Sequence, residues 1–175
     1  AVNNLKACFF LLGRNIIGRE AIVRQIVADG HEIGSHGFDH LHAWRVWPWQ
    51  SILDIKKGWQ TIDNVIGKGQ GIYPFRPPYG KLNLVVLAYL WYKRVPIIFW
   101  TVDSKDTTTW KDGQPSLATL SKQLTDGGIL LMHDFDRSTG HRDQYVLSAI
   151  QYAIETAKMY NLKITTLSQF QDRYK

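Results

Sequence analysis

Short apolar runs alternate along this chain with longer stretches whose apolar residues recur at helical spacing. Lys6 to Leu12 is apolar and stops at Gly13, which predicts a strand. Arg19 to Ala28 carries Ile22, Val23, Ile26 and Val27 on one helical face and closes at Asp29-Gly30, a stop signal. His31 to Ser35 predicts the next strand. From Ser51 to Ile66 the apolar positions are Ile52, Ile55, Trp59, Ile62, Val65 and Ile66. Ser51 and Asp54 resemble a capping box for that helix, and Gly67 ends it.

The alternation continues to the far end. Gly71 to Phe75 predicts a brief strand before Arg76-Pro77-Pro78-Tyr79-Gly80, where two prolines forbid regular structure. Leu82 to Tyr92 predicts a helix, Pro96 to Val102 a buried strand, Ser116 to Leu124 a helix and Gly128 to Met132 a strand. Asp143 to Tyr160 predicts a long helix, Leu162 to Thr165 a last strand and Leu167 to Tyr174 a terminal helix. Six strands each followed by a helix predict an α/β fold with a parallel sheet, open or rolled into a barrel.

In such folds ligands and catalytic groups gather at the C-terminal ends of the strands. His36 and His40 follow the second predicted strand, Arg76 the third, Asp103 the fourth and His133 the fifth. Neutral imidazole is a preferred ligand of zinc and its transition-series neighbours. His36 and His40 can face one ion if the backbone turns like a helix after the strand; surface histidines are the alternative. His42 is a further candidate, but alternation in a short loop directs it elsewhere. His133 follows a buried strand, where a half-desolvated imidazole suits general acid or base work, or is a hydrogen-bonded core histidine. Asp103 could orient an imidazole or merely cap a turn. Arg76 could hold a carboxylate in a forked pair or form a surface ion pair. Trp44, Trp47 and Trp49 crowd after the histidine loop and offer flat faces to sugar rings, or a hydrophobic lid.

Bulk properties narrow this little further. The chain has 175 residues, 45% hydrophobic and 21% charged, which fits one globular domain over 1–175. Its net charge of +6 is scattered, with no block longer than Lys56-Lys57, so a nucleic-acid stripe is not expected. No apolar stretch approaches the roughly 20 residues of a membrane span, and no signal peptide is visible. Cys8 is the only cysteine and lies in an apolar run, so there is no disulfide framework.

Four segments taken in order resemble a known family. Gly-His-Glu-Ile-Gly-Ser-His-Gly-Phe-Asp-His, Phe-Arg-Pro-Pro-Tyr-Gly, Val-Asp-Ser-Lys-Asp and Leu-Leu-Met-His-Asp resemble the motifs of the polysaccharide deacetylases, carbohydrate esterase family four, whose unit is also called the NodB-homology domain. Ala-Cys-Phe-Phe-Leu-Leu-Gly-Arg-Asn is similar to an early passage of that domain. The resemblance implies a distorted (β/α) barrel of seven strands and metal-dependent removal of acetyl groups from N-acetylated amino sugars in chitin-, chito-oligosaccharide- or peptidoglycan-like glycans. An O-acetyl esterase of the acetylxylan type, or a carbohydrate-binding relative without turnover, is the alternative. It further implies His36 and His40 as metal ligands, Arg76 orienting a base, the Tyr79 N–H holding an oxyanion, and His133 as acid tuned by Asp103. Trp44, Trp47, Tyr79, Trp110 and Leu131 are the expected substrate contacts. The expected cofactor is a divalent metal, zinc first, with cobalt, nickel or manganese as alternatives. The expected partner is acetylated glycan, bound by a monomer that works at the cell envelope or outside the cell.

Three departures accompany the resemblance. Gly37 stands where the family usually has Ser or Thr, and Thr107 where it usually has Trp, a loss Trp110 could offset. The family's Asp-Asp first motif, which supplies the base and a third metal ligand, is absent from this sequence. It is expected upstream of Ala1 on a first strand, which leaves the domain N-terminally incomplete with six of seven strands. Asp39, Asp134 and Asp136 are nearby carboxylates, none at the matching chain position.

Overall fold

The protein is described by a computed structural model covering residues 5–67, 69, 71–107, 115–134 and 142–173. These fall into two compact units, Ala1–Phe99 with Thr165–Lys175, and Trp100–Ile164.

The first unit begins with β1 (Cys8–Leu11), a one-turn α1 (Gly13–Ile16), α2 (Glu20–Ala28) and β2 (Glu32–Ser35). β1 and β2 pair in parallel, Cys8 opposite Glu32 through Leu11 opposite Ser35. The order extends through isolated parallel bridges from Ser35 to Phe75 and from Phe75 to Ile97. Ser35 N donates to Pro74 O and Arg76 N to Ser35 O, so Arg76 is delivered beside the end of β2. The expected strand at 71–75 is thus reduced to a bridge at Phe75, and the one at 96–102 to a bridge at Ile97 and a two-residue strand that begins at Val102. Pro74, Pro77 and Pro96 have no N–H to give a ladder, and each proline ends pairing locally.

Helix α3 (Pro48–Ile66) starts three residues before the predicted boundary. Pro48 takes the first helical position, where its missing N–H costs nothing, and Gln50 Oε1 accepts the Trp47 N–H at 2.9 Å. Ser51 and Asp54 are therefore interior to the helix rather than its cap. Ser51, Asp54, Ile55, Gly58, Trp59 and Ile62 form its buried face. Ile55, Trp59 and Ile62 pack with Ile16, Val23, Tyr73, Phe75, Val86 and Leu90 into one core cluster. A short 3₁₀ turn (Pro78–Gly80) leads to α4 (Leu84–Tyr92), capped by Asn83, whose Oδ1 accepts the Val86 N–H at 2.9 Å. The C-terminal helix α7 (Leu167–Arg173) belongs to this unit, and the Glu32 carboxylate accepts the Leu167 N–H at 2.8 Å at its start.

The second unit holds β3 (Val102–Asp103), α5 (Leu117–Gln123), β4 (Leu130–Leu131) and α6 (Arg142–Met159). β3 and β4 are parallel, with Asp103 opposite Leu131. Val102, Leu120, Tyr145 and Ala149 make its core, and the Tyr145 hydroxyl donates to Ser104 O at 2.6 Å. The residues 162–165 expected as a strand are irregular. Among the described residues the sheets have two strands each, and no helix is long and apolar enough to cross a membrane.

Candidate functional site

β2 ends at Ser35, and the next five residues turn sharply. His36 N donates to Leu11 O at 2.9 Å, and Gly37 and His40 take left-handed φ values of 81° and 60°. The helical turn expected after the strand is absent; two left-handed residues do the bending instead. A Cβ at Gly37 would run into Asp54 Oδ2, and one at Gly58 would meet Gly37 C and O at 2.8 Å. Ser or Thr at position 37 would displace the Asp54 carboxylate and strain a left-handed backbone, because α3 presses directly on the loop.

Asp54 explains how that loop is held. Its carboxylate is buried and accepts the Phe38 N–H at 3.0 Å and the Asp39 N–H at 2.7 Å. Burial pushes its pKa up, while those two backbone donors pull it down without fully cancelling the rise. The turn brings the rings of His36 and His40 to a centroid distance of 4.8 Å. His36 Nδ1 lies 2.6 Å from the Arg76 carbonyl. A carbonyl only accepts, so Nδ1 carries the proton and Nε2 is the nitrogen through which His36 would ligate, an orientation common in metal sites.

The two rings therefore fit a divalent metal as adjacent imidazole donors. Among the described residues no group of three or more His, Cys, Asp or Glu could hold an ion, so these residues supply a pair. His42 does not join it. Its ring lies 5.0 Å from Tyr79 and 6.1 Å from Trp44, as loop alternation predicts.

Arg76 is 9% exposed, and its guanidinium lies 4.1 Å above the Phe10 ring. Nε and Nη2 make long bonds to the carbonyls of Ile98 and Phe99, at 3.4 and 3.5 Å. Burial lowers its pKa and the Cys8 thiol opposes that shift, yet an arginine keeps its charge. No carboxylate pairs with it among the described residues, so the expected forked partner is not seen there. Cys8 is inert, since burial pushes its thiol up to about 12, with Glu32 adding and Arg76 opposing.

Tyr79 follows the Pro-Pro turn with a φ of 57°, a strained value for a side chain. It is 54% exposed, and its ring meets His40 at 4.6 Å. Its N–H has no acceptor among the described residues. Trp44 Nε1 donates to Leu82 O at 2.8 Å, and Lys81 Nζ lies 4.6 Å from the Trp44 ring.

In the second unit the carboxylate that orients His133 is Asp106, where the sequence suggests Asp103. Asp106 Oδ1 lies 2.9 Å from His133 Nδ1, and Oδ2 accepts the His133 N–H at 2.6 Å. Asp103 instead closes a local turn: it accepts the Lys105 N–H at 2.8 Å and pairs with Lys105 Nζ at 3.0 Å. Burial alone would raise the Asp106 carboxyl, but the hydrogen bonds and charge of His133 outweigh it and hold its pKa below the usual range. Nδ1 of His133 therefore donates to Asp106. Leu131 is buried, and Asp39 and Asp134 are exposed. Trp110 and Asp136 lie outside the described residues.

Sequence reasoning missed Asp54 and Asp106. Asp54 was legible as the acidic outlier on the apolar stripe of α3. Asp106 carried no such signal, since Val-Asp-Ser-Lys-Asp offers two carboxylates and only geometry separates them.

A profile for polysaccharide deacetylase matches residues 1–112. The peptidoglycan-N-acetylglucosamine deacetylase PgdA of Listeria monocytogenes is 33% identical over 141 residues, covering 78% of this chain and 28% of that protein. This chain thus spans under a third of that relative. The solved Bc1960 peptidoglycan N-acetylglucosamine deacetylase aligns with a TM-score of 0.79 at 27% identity, over 95% of this chain and 75% of the other. A pseudoenzyme of carbohydrate esterase family four from Bacillus anthracis shares the fold, with a TM-score of 0.75 at 24% identity over 96% and 56% of the two chains.

Two expectations follow from the site. Asp54→Ala leaves the buried Phe38 N–H without its acceptor and costs about 1–3 kcal/mol, measured by urea unfolding. Because the Asp106 pKa is lower folded than unfolded, the unfolded chain binds more protons as pH falls. Its stabilisation is present above the ordinary carboxylate pKa and lost as pH drops through the folded value. Asp106→Asn removes that share of acid sensitivity, which unfolding curves across acid pH will register.

Proposed function

The chain belongs to the polysaccharide deacetylase family, and we propose that its site removes acetyl groups from N-acetylated amino sugars of a glycan. The observation that carries this reading is the His36–His40 pair, with Nδ1 of His36 committed to the Arg76 carbonyl. The relatives named for N-acetylglucosamine deacetylation favour an amide over an ester substrate. The distorted barrel of the family is the architecture proposed for the working domain.

Nε2 of His36 and the His40 ring would hold a divalent cation, zinc being the natural partner of two imidazoles. When bound, that cation supplies Lewis-acid polarisation of the acetyl carbonyl and a water of lowered pKa. Tyr79 presents its N–H toward the developing oxyanion, an interaction that strengthens as charge builds. Arg76, buried and cationic, would orient the base carboxylate that takes the proton of the attacking water. The base and third ligand belong to the family's first motif, and no residue of this sequence is assigned to them. The resemblance gives His133 the role of acid: as the imidazolium, with Nδ1–H held by Asp106, it would give its Nε2 proton to the sugar nitrogen as the C–N bond breaks, releasing acetate and a free amine. The Asp106 carboxylate orients that ring through Nδ1.

Acetate release from acetylated chito-oligosaccharides tests the reading. Zinc-loaded protein supplied with the family's first motif is expected to release acetate, a chelator to stop it and added zinc to restore it. His133→Ala in that protein should lower kcat by about 10²–10⁴-fold. Folded, zinc-loaded protein with that motif that releases none, or release indifferent to both chelator and His133→Ala, contradicts the proposal.

A further inference from the structure

Helix α4 (Leu84–Tyr92) is apolar or aromatic at all nine of its positions, a pattern proper to a helix enclosed on every side. Here only one side is enclosed. Val86 and Leu90 are buried in the core, whereas Leu84, Leu87, Ala88 and Trp91 form a second stripe, at spacings of three and four, that faces solvent. Leu84, Trp91 and Tyr92 are 82%, 81% and 75% exposed. The exposed tryptophans elsewhere in this unit differ: Trp47 and Trp49 stack on one another at 5.0 Å, and Trp44 Nε1 is held by Leu82 O. A contiguous apolar face of this kind marks a surface made to be covered.

The charges around the face indicate what covers it. No Asp or Glu occurs between Asp63 and Asp103, while Lys81 precedes α4 and Lys93 and Arg94 follow it. Lys56 of α3 reaches over the Tyr89 ring at 5.6 Å. With Gln60 and Lys93 it lines a groove of about 320 Å³ between α3 and α4. Asp63, which also lines that groove, accepts the Tyr73 hydroxyl at 3.0 Å. An antiparallel second copy would set the Lys93-Arg94 end of each helix against the Lys81 end of the other, cation on cation with no acid on either helix. An anionic lipid surface satisfies both the stripe and its flanking charges. Leucine and indole enter the acyl boundary, the Tyr92 ring sits at headgroup level, and the lysine and arginine stems reach back to phosphates. At nine residues, or about 14 Å, α4 falls far short of the roughly 30 Å hydrocarbon core, so it lies on such a surface and does not cross it.

We propose that α4 is a membrane-docking helix that seats this protein on an anionic bilayer, with Lys56, Lys93 and Arg94 against the lipid phosphates. This docking needs neither a metal nor turnover at the histidine site.

Sedimentation of the whole chain with lipid vesicles tests it. Vesicles of equal parts phosphatidylglycerol and phosphatidylcholine should carry the protein down, phosphatidylcholine alone should carry little, and salt should release it. Lys93→Ala/Arg94→Ala should weaken binding roughly 5-fold for each charge removed, and Leu84→Gln/Trp91→Gln at least about tenfold. Both pairs are exposed, so circular dichroism and the melting temperature should match those of the native chain. Trp91→Phe should keep most of the binding and lose much of the blue shift in tryptophan fluorescence that vesicles induce. No sedimentation with the anionic vesicles, equal sedimentation with neutral ones, or binding that both double variants retain overturns the proposal. A blue shift that Trp91→Phe leaves intact puts another tryptophan in the lipid and overturns it too. So does a native dimer in light scattering that Leu84→Gln/Trp91→Gln converts to monomer, which assigns the face to a second copy.

Discussion

The buried carboxylate of Asp54, accepting the N–H groups of Phe38 and Asp39, is the constraint on which the histidine site depends. Two charge-assisted bonds tie the loop after β2 to the middle of α3. Gly58 lets the helix backbone come close, and Gly37 lets the loop bend beneath it. The same loop carries His36 on one side of the bend and His40 on the other. Without the clamp a segment with two left-handed residues would have little reason to hold one shape, and the imidazoles would not stay adjacent. The clamp is itself secured by the core, because Ile55, Trp59 and Ile62 of α3 are buried on the same face as Asp54.

A second ordering runs across the sheet. The bridge from Ser35 to Phe75 aligns the end of β2 with the Arg76 turn, and this alignment alone puts the Arg76 carbonyl against His36 Nδ1. One residue thus serves two ends: its carbonyl sets a histidine tautomer, and its guanidinium is kept desolvated over Phe10. After the Pro-Pro sequence Tyr79 takes a left-handed conformation, with a φ of 57°. In the second unit an equivalent logic operates with different parts, a buried aspartate fixing one nitrogen of His133 so that the other is usable.

Much of this was legible in the residues and some was not. The helices were visible because their apolar stripes repeat at 3.6 residues, and Val23, Ile55, Ile62 and Leu90 are core residues as that spacing demands. His36, His40, Arg76 and His133 stand out in the sequence because ionisable groups directly after apolar runs are unusual. The apolar runs at 71–75 and 96–102 pair only at Phe75, at Ile97 and from Val102, since apolar character marks burial but not pairing, and Pro74 and Pro96 cannot donate. The one-turn α1 is too short to show a period. The choice between Asp103 and Asp106 depends on Lys105, which captures the first carboxylate and leaves the second for His133. The departure at Gly37 looked like the loss of a hydroxyl and is instead a steric requirement of the Asp54 clamp.

The central claim is that His36 and His40 act as one paired metal-binding unit, with His42 outside it. Zinc titration followed by NMR of the imidazole nitrogens tests this most directly. The account predicts that the His36 and His40 resonances move together and saturate at one zinc per chain, with the change at Nε2 of His36, while His42 stays unmoved. A His36–His40 pair that ignores zinc, or a response at His42 in place of His40, would contradict it.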